Sequence, residues 1–126
     1  MLLTILAAAV PQYSPAQTKV RQLRRQILSG QANGLDATFV EVTIPPGPGN
    51  AAHRHSGFVL GYVLEGEFLF GINGETPQRL KAGETFYEPE GGRHTTSASA
   101  LPDKPVRILA IVVGPKGQAI SKADSQ

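Results

Sequence analysis

Ala51-Ala52-His53-Arg54-His55-Ser56-Gly57-Phe58-Val59-Leu60-Gly61-Tyr62-Val63-Leu64-Glu65-Gly66-Glu67 carries two histidines into a long run of aliphatic and aromatic residues, punctuated by glycine. Phe58 to Leu64 and Glu67 to Ile72 are apolar segments of strand length, rich in Val, Ile, Phe and Tyr. With Glu65-Gly66 between them they predict two strands paired as a hairpin. Ala51 to His55 predicts a short strand of its own. On it the side chains of His53 and His55 leave the same face, because successive residues of a strand alternate sides.

Working outward, the same period continues. From Asp36 to Ile44 the residues alternate, with Val40, Val42 and Ile44 on one face and Phe39, Glu41 and Thr43 on the other. That is the pattern of a half-buried strand. Pro45-Pro46-Gly47-Pro48-Gly49-Asn50 ends it, since proline cannot donate to a ladder and glycine accepts turn geometry. Downstream, Asn73-Gly74 is a tight-turn signal, followed by short strands at Gln78 to Lys81 and Glu84 to Glu88. The loop Pro89-Glu90-Gly91-Gly92 leads into strands at His94 to Ala98 and Val106 to Val113. Residues 17 to 28 fit an amphipathic helix or a strand, and periodicity does not separate the two. Fourteen glycines and ten prolines spread through 126 residues suit short strands and tight turns. The expectation is an all-β fold, an antiparallel barrel or double-sheet jelly roll.

The length allows one core and one domain. Residues 1–18 read as an apolar N-terminal segment, 19–115 as the barrel and 116–126 as a polar tail. Leu2 to Val10 is too short to span a bilayer. It reads either as the core of a secretory signal, with Ser14-Pro15-Ala16 as a cleavage site, or as a strand packed on the barrel or on a partner subunit. Compartment stays open between the two. There is no cysteine, which excludes disulfides, thiolate ligands and a Cys nucleophile. The net charge is only +2. Lys19, Arg21, Arg24 and Arg25 cluster, but no aromatic is interleaved among them, so they read as a solvated face and not as a nucleic-acid surface. No nucleophile-elbow, phosphate-loop or dinucleotide pattern occurs.

The chain has three histidines. His53 and His55 share a strand face, and His94 follows the Pro89-Glu90-Gly91-Gly92 turn. Three neutral imidazoles meeting at one point would hold one divalent transition metal (Fe, Mn, Zn, Ni or Cu) with positions left open. Two histidines at i and i+2 do not by themselves decide between ligands and ordinary residues.

The spacing around them adds a resemblance. Gly47, five residues, His53-Arg54-His55, three residues, Val59, six residues, Gly66 resembles the first cupin motif, in which a glutamate stands where Val59 does here. Gly83, five residues, Pro89-x-Gly91, two residues, His94, three residues, Ala98 resembles the second, which ends in asparagine. Tyr62-Val63-Leu64-Glu65-Gly66-Glu67 is also typical of the family. The resemblance covers about residues 36 to 113 and implies a small barrel, often dimeric, with a metal at its mouth. Gly66, Gly83 and Gly91 are expected at turns needing positive φ. With Val59 in place of the glutamate, three neutral ligands leave the ion's full charge, which favours an anionic or chelating substrate. The resemblance extends to three-histidine cupins such as thiol and diketone-cleaving iron dioxygenases. It therefore implies a mononuclear metal-dependent oxygenase acting on a small chelating substrate. The alternatives are a non-catalytic binding or sensing module and a metal-free structural barrel.

Glu88, just before Pro89, is the candidate catalytic carboxylate. It reads as a fourth ligand, as an acceptor orienting a ligating imidazole, or as a solvent-facing strand end. Arg54 is expected to face away from the histidines. Arg93 either reaches a substrate carboxylate or is a surface arginine. Tyr62, Phe68, Phe70, Phe86 and Tyr87 are expected in the core, and Phe58, Val59 and Leu60 at an apolar pocket mouth. Partners expected are a small-molecule ligand and a second copy of the chain, with no nucleic acid and no membrane span.

Overall fold

A computed structural model describes residues 17–124. The Leu2 to Val10 run, with both of its readings, lies outside the described residues. Among the described residues ten strands follow in order: β1 (Lys19–Ile27), β2 (Leu35–Ile44), β3 (His53–His55), β4 (Phe58–Glu65), β5 (Glu67–Ile72), β6 (Gln78–Lys81), β7 (Thr85–Glu88), β8 (Arg93–Ser99), β9 (Val106–Pro115) and β10 (Ser121–Ala123). Residues 17 to 28 thus resolve as a strand, not a helix. Every pairing is antiparallel, in two five-stranded sheets ordered β1-β2-β9-β4-β7 and β10-β3-β8-β5-β6. The all-β double-sheet jelly roll is the observed fold.

The two sheets close over one core. Val40, Ile44, Val59, Val63, Phe68, Phe70, Ile72, Phe86 and the alternate residues Val106, Ile108, Ala110 and Val112 of β9 form it. On β9 burial alternates residue by residue, as a strand packed on one side must. Phe68 is fully buried, and its ring meets Phe70 and Phe86 at 6.0 and 5.2 Å between centroids. Asn73 (φ 53) and Gly74 (φ 75) turn β5 back onto β6. Gly66, Gly83 and Gly91 all have positive φ, at 81, 91 and 75.

One expected pairing is corrected. The two strands around Glu65-Gly66 do not form a hairpin: β4 pairs with β7 and β9, and β5 with β6 and β8. Gly66 instead carries the chain across the edge from one sheet to the other. A Cβ there would lie 2.5 Å from the Pro105 carbonyl oxygen, so the corner needs glycine on both steric and φ grounds. The aromatic expectation is also corrected in part. Phe68, Phe70 and Phe86 are buried, but Tyr62 and Tyr87 are 42% and 55% exposed, because alternation sends them to the outer face.

Residues 121–123, within the segment expected as a polar tail, form β10. It adds to the edge of the second sheet by pairing Ser121, Lys122 and Ala123 with His55, Arg54 and His53.

Candidate metal centre

Strands β3 and β8 lie side by side with His53 opposite His94 and Arg54 opposite Arg93. His53 and His55 are two apart on β3, so both rings turn inward, where His94 meets them from the next strand. Ring centroids are 4.9 Å apart for His53–His55 and His53–His94, and 6.3 Å for His55–His94. Each residue offers one nitrogen, and the three lie within 4.8 Å of one another. Two ligands of one ion at about 2.1 Å can stand at most about 4.2 Å apart, so a small inward closure brings all three onto a common ion.

The hydrogen bonds fix which nitrogens are free. His53 Nδ1 lies 2.8 Å from the Ala51 carbonyl oxygen, and His55 Nδ1 lies 2.9 Å from that of Ile120. A carbonyl only accepts, so both Nδ1 atoms carry the proton and both Nε2 atoms present a lone pair. Burial pushes the His53 imidazole below its ordinary pKa, and the bond to Ala51 offsets this only partly; His94 and His55 nearby add to the lowering. His53 is therefore neutral at neutral pH, as a ligand must be.

His94 is 3% exposed, with its ring packed edge-on against Phe68 and Phe70, and neither of its nitrogens has a hydrogen-bond partner among the described residues. A buried imidazole without a partner is costly. Glu88, 2% exposed, stands beside it. Its Oε1 is 2.9 Å from His94 Nδ1 and its Oε2 is 3.2 Å from His55 Nε2. Both distances are short, but neither contact is in line with a ring N–H, and Glu88 Oε2 is left without a hydrogen bond. His55 Nε2 presents its lone pair to Glu88 Oε2, and a carboxylate oxygen facing a lone pair at this range is repulsive unless a cation lies between them. The donor set, the orphaned buried atoms and the tautomers all fit a bound divalent metal. His53, His55 and His94 would hold it, with Glu88 within reach.

Glu88 arrives by a route the motif does not foresee. It sits on β7 directly opposite Val59 of β4, the position at which the resembled motif has its glutamate. Val59, 1% exposed, fills that place with hydrocarbon while the carboxylate comes from the neighbouring strand. The reading of Glu88 as a solvent-facing acid is thus overturned by its burial.

Two further expectations change. Arg93 does not face the pocket: its Nε donates to Asp124 Oδ2, and Arg54 Nε lies 3.6 Å from Oδ1 of the same residue. Arg93, with Arg54, holds the Asp124 carboxyl below the usual carboxylate range. Phe58 and Leu60 do not line the mouth either. Val59 points in, so its neighbours point out; Phe58 packs toward Tyr87 and Leu60 is 48% exposed. The cavity at the metal centre, about 390 Å³, is walled instead by Val40, Val42, Ile108, Ala110 and Val112, with Ile120, Ser121 and Ala123 closing one side. Thr18, Asn50 and Ser97 also face it. No sequence pattern marks these three, because each is a common turn or strand residue and only the closed barrel brings them together.

Comparison with known proteins agrees with this architecture. No curated protein matches the chain in sequence. Among solved structures, a conserved Klebsiella pneumoniae protein with a double-stranded β-helix domain is similar at 20% identity and a TM-score of 0.67, over 91% of this chain and 90% of that one. A cupin-like protein of Thermotoga maritima is similar at 17% identity and 0.65, over 86% and 77%. A DMSP lyase of Ruegeria pomeroyi is similar at 21% identity and 0.61, over 85% of this chain and 51% of that one. At such identities the likeness speaks for the fold. The sequence itself matches the cupin domain over residues 40–112, and with the two-sheet barrel and its histidine cluster this places the chain in the cupin family.

Proposed function

We propose that this protein is a mononuclear metal cupin acting on a small chelating substrate, with His53, His55 and His94 as ligands and Glu88 as the catalytic carboxylate. The observation that carries this reading is the buried His94 ring, whose two nitrogens have no hydrogen-bond partner among the described residues, next to a buried carboxylate whose Oε2 is likewise unpartnered. When bound, the divalent metal (Fe, Mn, Zn, Ni or Cu by donor type) would polarise a chelating substrate and, if iron, support oxygenase chemistry. The chain does the rest. The Ala51 and Ile120 carbonyls orient His53 and His55, the aliphatic wall excludes water, and Glu88 accepts or holds a proton beside the bound substrate.

Oxygenase chemistry is preferred over a passive binding module because a buried carboxylate at an open metal position is costly to keep unless it is used. The partner proposed alongside is a second copy of the chain. Leu60, Tyr62 and Tyr87 stand exposed on the outer face of the first sheet, and Leu60 and Tyr62 lie opposite Ile111 and Leu109. Such an exposed apolar surface suits a self-contact.

The test compares His55→Ala with Glu88→Gln in protein purified without a His-tag. Losing one of three histidines leaves too few donors for a stable site, so His55→Ala empties it. Glu88→Gln keeps the metal, weakened about 10–100-fold, and lowers oxygen uptake by the iron-loaded protein. If neither substitution alters metal content, the reading fails.

A further inference from the structure

The cavity has a second polar end, three residues along the β3–β8 ladder from the metal centre. Asn50 lies as far before His53 as Ser97 lies beyond His94, and Asn50 N donates to the Ser97 carbonyl oxygen at 2.9 Å. Asn50 Nδ2 donates to Ser97 Oγ at 3.2 Å, and Thr18 Oγ1 donates to Asn50 Oδ1 at 2.5 Å. The backbone builds this cluster deliberately. Gly49, at φ +80, lies so close to β8 that a Cβ would come within 2.3 Å of the Ser97 carbonyl oxygen. Only glycine lets the loop reach the strand. On β8, Thr95 is an extra residue in the pairing with β5, where Gly71 meets Thr96 and Ile72 meets His94. That irregularity lets His94 and Ser97, an odd number apart, both face the cavity.

Donor accounting then says what the cluster can take. The Asn50 oxygen is occupied by Thr18, while one Asn50 N–H and the Ser97 O–H have no partner among the described residues. The two unpartnered hydrogens call for an acceptor, and the lone pair left on Ser97 Oγ can also take the hydrogen of a hydroxyl. Among the described residues no Lys or Arg lines the cavity, and the two nearby arginines are turned to Asp124. A second carboxylate at this end would lie buried without a counter-charge, which is costly.

We infer that the cavity recognises small monoanions that chelate the metal at one end and carry a neutral oxygen acceptor, a hydroxyl or carbonyl, at the other, read by Asn50 and Ser97. The inference rests on the metal reading above. Three neutral imidazoles, one carboxylate and a divalent ion leave a single positive charge, which one anionic head cancels. Three residues of regular strand span about 10 Å, and the two-residue step that His94 and Ser97 make against β5 spans about 7 Å. Allowing about 2 Å for the metal bond and about 3 Å for the hydrogen bond leaves room for a chain of about two to four carbons. The aliphatic walls accept such a body, and at about 390 Å³ the cavity is near the small end of ligand pockets.

The test titrates the cobalt(II)-loaded protein with butanoate, 4-hydroxybutanoate and succinate, following the visible absorption of the metal. The hydroxy acid should bind about three- to tenfold more tightly than butanoate, the gain of one buried hydrogen bond, with succinate weaker than the hydroxy acid. Ser97→Ala should bring the hydroxy acid close to the level of butanoate, Thr18→Val, which only frees the Asn50 amide to turn, should reduce the preference in part, and both should leave butanoate unchanged. Neither position is a metal ligand, and both substitutions keep the side-chain volume close to native. If the protein retains cobalt but prefers no hydroxyl, or prefers it equally in both variants, or binds succinate most tightly, this inference is overturned while the metal reading stands. If cobalt is not retained, or no acid perturbs its spectrum, the metal reading falls first.

Discussion

Truncation after Gln118 should weaken metal binding although it removes no ligand. The deleted segment contains β10, which pairs along β3 against both His53 and His55. It also supplies the Ile120 carbonyl that holds His55 Nδ1 at 2.9 Å and the residues Ile120, Ser121 and Ala123 that close the cavity. Without that carbonyl the imidazole is free to turn and to take either tautomer. Loss of such an outer hydrogen bond lowers metal affinity by about 10–100-fold. Asp124→Ala is the milder partner. It cuts the ion pairs to Arg54 and Arg93, whose side chains are 48% and 36% exposed, but leaves Ile120 in place. Partly exposed pairs of this kind contribute about 0–1 kcal/mol each, so the point variant should fall only a few-fold. Competition with a chromogenic zinc chelator measures both, and thermal melts verify that the barrel survives the loss of an edge strand. A truncated chain that binds zinc as tightly as the full one would refute the argument that the segment positions His55.

Acid should destabilise the fold through Asp36. This carboxyl is buried and accepts from Arg25 Nε at 2.7 Å and from the Gly117 N–H at 2.9 Å, and those bonds hold it below its ordinary pKa. Its folded value lies below the unfolded value of about 3.9, so its stabilisation is complete above that value and is lost as pH falls through the folded pKa. Asp36→Asn should lower the melting temperature at pH 7 and flatten the decline below about pH 4; an unchanged acid slope would contradict this. Self-association should depend on the outer face of the first sheet. Light scattering should give twice the 13.4 kDa chain mass for the wild type and a monomer for Leu60→Asp, whereas a monomeric wild type at tens of micromolar would remove the dimer.

What could be read from the sequence follows the range of the interactions involved. Period-two burial on β2 and β9 is a local property, and Val40, Ile44, Val106, Ile108, Ala110 and Val112 all sit inside as their alternation requires. The histidines were legible for the same reason, since the spacing of His53 and His55 alone puts them on one face. Pairing partners were not. Gly66 carries the same turn signal whether the chain folds back beside itself or crosses to the opposite sheet, and only the closed barrel decides. The role of the segment around Ile120 was hidden because its contribution to the site is a backbone carbonyl, which no side-chain pattern reports. Glu88 was legible as a carboxylate near the right turn, but its burial opposite Val59 depends on the register of β4 against β7. Likewise Asn50 and Ser97 become a pair only once β3 and β8 are in register.

The central claim is that His53, His55 and His94 form one metal site. Elemental analysis of tag-free protein, dialysed after exposure to zinc, tests it most directly, with His94→Phe as the comparison because Phe fills the same space between Phe68 and Phe70. The account predicts close to one zinc per chain in the wild type and essentially none in the folded variant. Metal-free wild-type protein, or a His94→Phe chain that retains its zinc, would contradict it.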